Sequence, residues 1–257
     1  METKAICPKE IAARLSAFAS EAGVRILYAC ESGSRAWGFP SEDSDYDVRF
    51  LYVYPRAEYF SIDSPPDVLN HLDGDWDFAG WELGKALRLM RKSNMVIREY
   101  LASPIVYVDN PVLIDELREA QAWSFRPKAG VYHYLSMARK AAEDLRNSKE
   151  IKAKKLLYAL RCTLATQWIV QYGTMPPIEM APLAEAALAP EMKGWLQELI
   201  ASKAEAGERF EVSVPATVKG WMERAWAQVS EATFAPESEE KDVNRNYSEI
   251  YQRAIGV

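Results

Sequence analysis

An α+β protein is the fold class this 257-residue sequence predicts, and three observations carry it. Extended, β-rich segments fall before residue 110. From about residue 111 the pattern is almost wholly helical. An apolar fraction of 49%, with 11% aromatics, is ample for a buried core and rules out a disordered chain. Strands first and helices afterwards mean either α+β segregation or an α/β domain followed by a helical one, with a boundary near 110–127.

Residues 8–22 place Ile11, Leu15 and Phe18 at helical spacing, and Gly23 is the stop. The short apolar run 24–30 (VRILYAC) reads as a buried strand, and ESGSRAWGFPSEDSD after it is rich in turn residues. Residues 45–54, full of β-branched and aromatic side chains, read as a second strand. An extended piece over 75–81 leads into an amphipathic helix, LGKALRLMRK, and Pro104 introduces a brief IVYV strand. Helices are then expected over 111–121, 128–147, 150–172, 182–206 and 215–231, with Pro176-Pro177 and Pro190 as breaks. The polar stretch 232–250 reads as a loosely held tail before a short final helix.

Supply of residue types excludes several chemistries. Cys7, Cys30 and Cys162 lie far apart and form no CxxC pair, which argues against a disulfide framework or a cysteine zinc site. His71 and His133 are the only histidines, too few for imidazole-rich metal sites. The N-terminus lacks the basic-then-apolar plan of a signal peptide. No stretch approaches the ~18 unbroken apolar residues of a membrane span. A cytoplasmic protein with no membrane partner is expected.

With 31 basic and 37 acidic residues the net charge is -6, so a whole-surface grip on nucleic acid is not expected. The charge is unevenly spread. Residues 41–83 hold eleven acids and two basic residues, while 139–161 hold eight basic residues, among them Arg146 and Lys149, and three acids. Solvated faces explain such counts. So does a metal–phosphate site served by an acidic and a basic region.

Asp45 and Asp47, two apart on a strand, point to one face. Paired carboxylates suit a hard divalent cation such as Mg²⁺, which takes one or two of them together with substrate phosphates. A solvent-facing polar edge strand is the alternative. Arg49 shares that face and could meet a carboxylate or a phosphate. Gly33 and Ser34 follow the first strand where a short helix could begin, offering backbone N–H groups and a hydroxyl to an anion, with glycine permitting close approach. Ten residues separate Ser34 from Asp45. The combined pattern is far more specific than either part.

That pattern resembles the DNA polymerase β-type nucleotidyltransferase superfamily, whose fingerprint is a Gly-Ser turn followed by a D-x-D strand. The longer run ESGSRAWGFPSEDSDYDVRFLYV is similar to one branch, the RlaP-type predicted nucleotidyltransferases proposed to act in RNA repair. GWELGKALRLMRKSN, SPIVY, YHYLSMARK, KKLLYALRCTLATQWI and MPPIEM extend the resemblance over residues 24–206. Ser32 departs from the superfamily at large, where a hydrophobic residue precedes the glycine, but the branch accepts serine there.

The resemblance implies a small mixed-sheet nucleotidyltransferase domain over 1–110 and a helical C-terminal domain over 111–257. It also implies a third carboxylate on a neighbouring strand. Asp77 matches the branch pattern, and Asp75, pointing the same way on a regular strand, competes with it. Asp45, Asp47 and Asp77 would be the catalytic acids and would hold Mg²⁺ or Mn²⁺, two ions in all, around a nucleoside triphosphate. Gly33, Ser34, Arg35 and Arg49 are the nearby nucleotide-binding candidates.

Lys154, Lys155, Tyr158 and Arg161 fall on one helical face and are candidates for the β- and γ-phosphates. The alternative is a core Tyr158 with snorkelling basic neighbours. Trp37, Trp81 and Trp168 are better suited to packing than to stacking a base, His133 reads as a satisfied helical histidine, and Cys162 as core.

The implied reaction is transfer of a nucleotidyl group from an NTP to a hydroxyl, with an RNA end as the acceptor the branch suggests. No recognisable RNA-binding module is present, and no protein partner is indicated. Nucleotidylation of a protein or small molecule, and a non-catalytic nucleotide-binding or antitoxin-like partner, are the alternatives. Three mutually repelling acids beside a Gly-Ser turn favour an enzyme.

Overall fold

A computed structural model of the chain describes residues 8–143, 150–234 and 243–256. Cys7, Arg146 and Lys149 lie outside the described residues. In chain order the first elements are α1 (Pro8–Glu21), β1 (Arg25–Glu31), α2 (Gly33–Trp37), β2 (Tyr46–Val53), β3 (Val68–Asp73), β4 (Trp76–Glu82), α3 (Leu83–Arg91), α4 (Met95–Leu101), β5 (Val106–Val108) and α5 (Pro111–Trp123). A 3₁₀ turn at Arg56–Phe60 lies between β2 and β3. There follow α6 (Pro127–Ala141), β6 (Glu150–Lys152), α7 (Ala153–Tyr172), α8 (Met180–Ala187), α9 (Pro190–Ala206), β7 (Glu211–Ser213), α10 (Ala216–Glu231) and α11 (Val243–Ile255). This is a mixed α+β architecture, with the sheet N-terminal and a helical region after it.

The described residues form two compact units. One comprises 8–36, 45–124 and 243–256; the other comprises 37–44, 125–143 and 150–234. The boundary expected near 110–127, drawn at 110/111 for the two domains, has its counterpart at 124/125, because α5 buries Leu113, Ile114, Leu117 and Ala120 in the core of the first unit. The chain also returns: Tyr247 and Ile250 of α11 are buried in that same core. The segment 243–250, expected as part of a loose tail, is therefore a packed helix.

The sheet of the first unit has the order β3-β4-β2-β1-β5. β1 runs antiparallel to β2 and β5, β2 runs parallel to β4, and β3 runs antiparallel to β4. One sheet face packs on α1 through Ile11 and Leu15 against Val48, Phe50, Trp76 and Phe78. The other face carries α3, α4, α5 and α11. Gly80 is where the interior leaves no room: a Cβ there would lie 2.1 Å from the Phe50 ring.

Strand β3 was not foreseen. Its VLNHLD sequence is largely exposed at the sheet edge, so neither a buried run nor clean alternation announces it. The β3–β4 hairpin turns through Gly74, at φ +59°, and Asp75. Asp75 thus belongs to the turn rather than to a strand.

In the second unit α7 is the central helix, packing against α6, α8, α9 and α10. Gly173 in the left-handed region ends it. Two expected helices were cut differently. Residues 150–152 pair with β7 as a short strand, and the span expected over 182–206 divides into α8 and α9 at Pro190, which starts α9 after the extended Leu188 and Ala189. No helix among the described residues is long and apolar enough to cross a membrane.

Candidate active site

Sheet registration brings the acidic residues together. On parallel strands β2 and β4, Asp47 lies directly opposite Asp77. Arg49, two residues beyond Asp47, shares their face. Its Nη2 donates to Asp47 Oδ1 at 2.9 Å and to Asp77 Oδ2 at 2.8 Å. Its Nη1 donates to the main-chain oxygens of Asp77 at 2.8 Å and Val48 at 3.2 Å. Burial works against this guanidinium's charge, but the hydrogen bond to Asp77 and the nearby carboxylates win, and the Arg49 pKa is raised.

The Gly-Ser bend opens onto the same point. Ser32 N–H donates to the Asp47 carbonyl at 2.8 Å, and the chain then turns at Gly33 with φ +61°. A Cβ on Gly33 would fall 2.0 Å from Asp47 Oδ2, so the site requires glycine twice over: for its dihedral and for its closeness. Ser34 follows, buried, in the first turn of α2. Arg35 extends over the Tyr46 ring at 3.9 Å, and its Nε donates to the Asp45 carbonyl at 3.3 Å.

Carboxylate oxygens are the donors a hard divalent cation takes. Asp47 and Asp77 present two such groups close enough to share one guanidinium nitrogen. Asp45 differs. It precedes the first residue of β2 and is exposed, so strand alternation does not direct its side chain. Among the described residues no group of three or more His, Cys, Asp or Glu side chains stands ready to hold a metal ion. The donor chemistry fits Mg²⁺ or Mn²⁺ at Asp47 and Asp77, while Arg49 engages both acids.

Glu31 escaped the sequence reading. It closes β1 with its side chain buried, Oε1 accepting from the Asp47 N–H at 2.8 Å and Oε2 accepting from the Tyr107 hydroxyl. Burial pushes its carboxyl up to about 7 despite these hydrogen bonds, and burial beside Glu31 also raises the Tyr107 hydroxyl. A charged residue ending the apolar run VRILYAC was the available signal. Neighbouring Cys30 is buried, its thiol pushed up to about 12 mainly by desolvation.

Residues 8–252 match RlaP, described as the RNA repair pathway DNA polymerase beta family. The chain belongs to that family. It is also 41% identical over 236 residues, 91% of this chain and 90% of the relative, to an uncharacterized protein, YcgL, of Bacillus subtilis (strain 168).

The second unit of this RlaP-family chain carries the basic helix face on α7. Lys154 Nζ pairs with Glu208 at 2.9 Å. Tyr158 stacks on Trp37 with centroids 5.2 Å apart, and the Arg161 guanidinium covers Trp37 at 4.6 Å. Arg161 is buried, with Nε donating to the Ile178 carbonyl at 2.6 Å. Lys155, on the same helix, is exposed. Trp37 is thus a packing residue, as are Trp81 against Tyr100 and Trp168 against Tyr172; Cys162 is buried, and His133 lies edge-on to Tyr134.

Sequence reasoning also missed Lys203. It is fully buried, its three N–H donors shared among four acceptors: the Phe39 carbonyl, the Ser41 and Ser44 hydroxyls and Glu208 Oε1. Burial alone would raise the Glu208 carboxyl, but hydrogen bonds from Lys203, Ser44 and Lys154 hold it at about 2. This cluster fastens residues 37–44, the segment joining the Gly-Ser bend to Asp45 in sequence.

Proposed function

We propose that this RlaP-family protein is a nucleotidyltransferase that moves a nucleotidyl group from an NTP to a hydroxyl acceptor, with an RNA end as the leading acceptor. The supporting observation is the placement of Asp47 opposite Asp77 with the Gly33 bend packed against Asp47. Family membership supports the same reading through its description as a DNA polymerase beta family in RNA repair.

In the proposed reaction the acceptor hydroxyl oxygen bonds to the α-phosphorus, the α–β bridging P–O bond breaks, and pyrophosphate leaves with its electron pair. Gly33 and Ser34 approach the phosphates through backbone and hydroxyl, and Arg35 lies beside them as a further anion contact. Asp47 and Asp77, with Asp45, are the residues that would hold Mg²⁺ or Mn²⁺. That ion, when bound, supplies neutralisation of triphosphate charge and acidification of the attacking hydroxyl. Asp77 is the proposed acceptor of the hydroxyl proton. Positioning and charge stabilisation carry the rate enhancement.

The test is incubation of purified protein, Mg²⁺ or Mn²⁺ and α-labelled NTP with total RNA and, separately, total protein. Label enters RNA, and Asp47→Asn or Asp77→Asn abolishes it. Label in protein or small molecules instead would keep the chemistry and change the acceptor. No transfer to any pool, with NTP binding unchanged in both variants, would establish a non-catalytic nucleotide binder.

A further inference from the structure

Asp47 and Asp77 face each other from adjacent strands, where like charges directly opposite destabilise pairing. Arg49 resolves this internally. Its Nη2 serves both carboxylates, while its Nη1 is anchored separately on the main-chain oxygens of Asp77 and Val48. Its side chain is 16% exposed, against 26% for Asp47 and 41% for Asp77, so solvent screens the contact with Asp77 more than the contact with Asp47. A guanidinium and a divalent cation draw on the same oxygens here.

On the reading that this is a nucleotidyl-transfer site, we propose that Arg49 is a resident counter-cation: it holds Asp47 and Asp77 in position when no metal is bound and competes with the divalent ion for Asp47 Oδ1 and Asp77 Oδ2. Anchoring through Nη1 lets Nη2 leave the carboxylates while the side chain stays at the site. Arg49 is then a positioning residue for the acids, and its displaced Nη2 is available to the triphosphate that arrives with the metal. Two other roles make different forecasts. A permanent clamp would leave the metal only the other carboxylate oxygens and hold the acids in place for it, so its removal would disorder them and weaken metal binding. A phosphate ligand alone would leave metal affinity unchanged without nucleotide.

Nucleotide-free Mn²⁺ titration, read by the loss of the free-Mn²⁺ electron paramagnetic resonance signal, separates them. Arg49→Met offers the metal no oxygen, and Arg49→Gln keeps a donor for the carboxylates without the charge. Both variants are expected to bind Mn²⁺ about tenfold or more tightly than the wild type, the scale of one charge-assisted hydrogen bond released. In EDTA both denature at lower temperature than the wild type, and Mn²⁺ restores more of the loss than it adds to the wild type. Adding Asp47→Asn to Arg49→Met removes the gain.

Equal or weaker Mn²⁺ binding by both variants overturns the proposal, as does a gain that survives Asp47→Asn. If neither variant folds, even with Mn²⁺, Arg49 is a permanent clamp and the proposal fails. None of these readings depends on nucleotidyl transfer. Absence of transfer by the wild type would count against the proposed function and leave the competition between Arg49 and metal standing on its own result.

Discussion

Replacing Gly33 by alanine tests the bend and the acid together. At φ +61° an alanine pays the left-handed penalty of about 1–2 kcal/mol. The new Cβ also meets Asp47 Oδ2 at 2.0 Å, where contacts under 3.0 Å require movement. Asp47 Oδ2 must therefore shift by about 1 Å, the difference between those two distances, and because Cγ also lies at 2.8 Å the whole carboxylate is expected to move and draw Oδ1 from its 2.9 Å contact with Arg49. Losing such a charge-assisted bond costs about 1.5–3 kcal/mol. The sum is about 2.5–5 kcal/mol.

Gly23 is the internal control: its φ is +66°, and nothing lies within 4 Å of a Cβ there. Gly23→Ala should cost only the conformational part, about 1–2 kcal/mol. Urea denaturation, followed alongside hydrogen exchange of β1 and β2 amides, measures both. A gap of about 2 kcal/mol between the variants supports the close approach. Equal losses would refute it, because the dihedral penalty would then explain everything.

Three other expectations follow from the same geometry. Glu31, with a native pKa of about 7 against 4.5 for an ordinary carboxyl, retains its proton in the folded state over that interval, so stability falls as pH rises from about 4.5 to about 7. At about 1.4 kcal/mol per pH unit the loss approaches about 3 kcal/mol, and Glu31→Gln should flatten the difference between urea midpoints at pH 5 and pH 8. Lys203→Met leaves Glu208 without its buried partner and should cost the second unit about 3 kcal/mol, seen as lost amide protection in α7 and α9. The same variant should lose part of the acid-sensitive stability that the lowered Glu208 pKa supplies, which is full above about pH 4.5 and vanishes as pH falls through about 2, because Ser44 and Lys154 still hold the carboxylate.

Legibility in the sequence followed burial and spacing. β1, β2 and β4 announce themselves because their runs are buried or alternate. β3 does not, since an exposed edge strand needs no apolar side chains. Asp47 was readable from its spacing to Asp45 and Asp77 from the family pattern, yet only sheet register pairs the two. Asp75 was separable from Asp77 only through the hairpin turn, which strand periodicity cannot locate. Glu31 and Lys203 were passed over because a charged residue is ordinarily read as exposed, although Glu31 closes an apolar run; only tertiary structure shows the partners that bury them. The α11 helix returns to the first unit across more than a hundred residues, a long-range contact that no local pattern encodes.

The most direct test is stoichiometric. Pyrophosphate release and α-label incorporation are measured in one reaction with Mg²⁺, for the wild type, Asp77→Asn and Asp75→Asn. Equal amounts of both products are predicted for the wild type, with neither from Asp77→Asn and both retained by Asp75→Asn. Orthophosphate release without incorporation, or full activity in Asp77→Asn, would contradict a nucleotidyl-transfer site built on the Asp47–Asp77 pair.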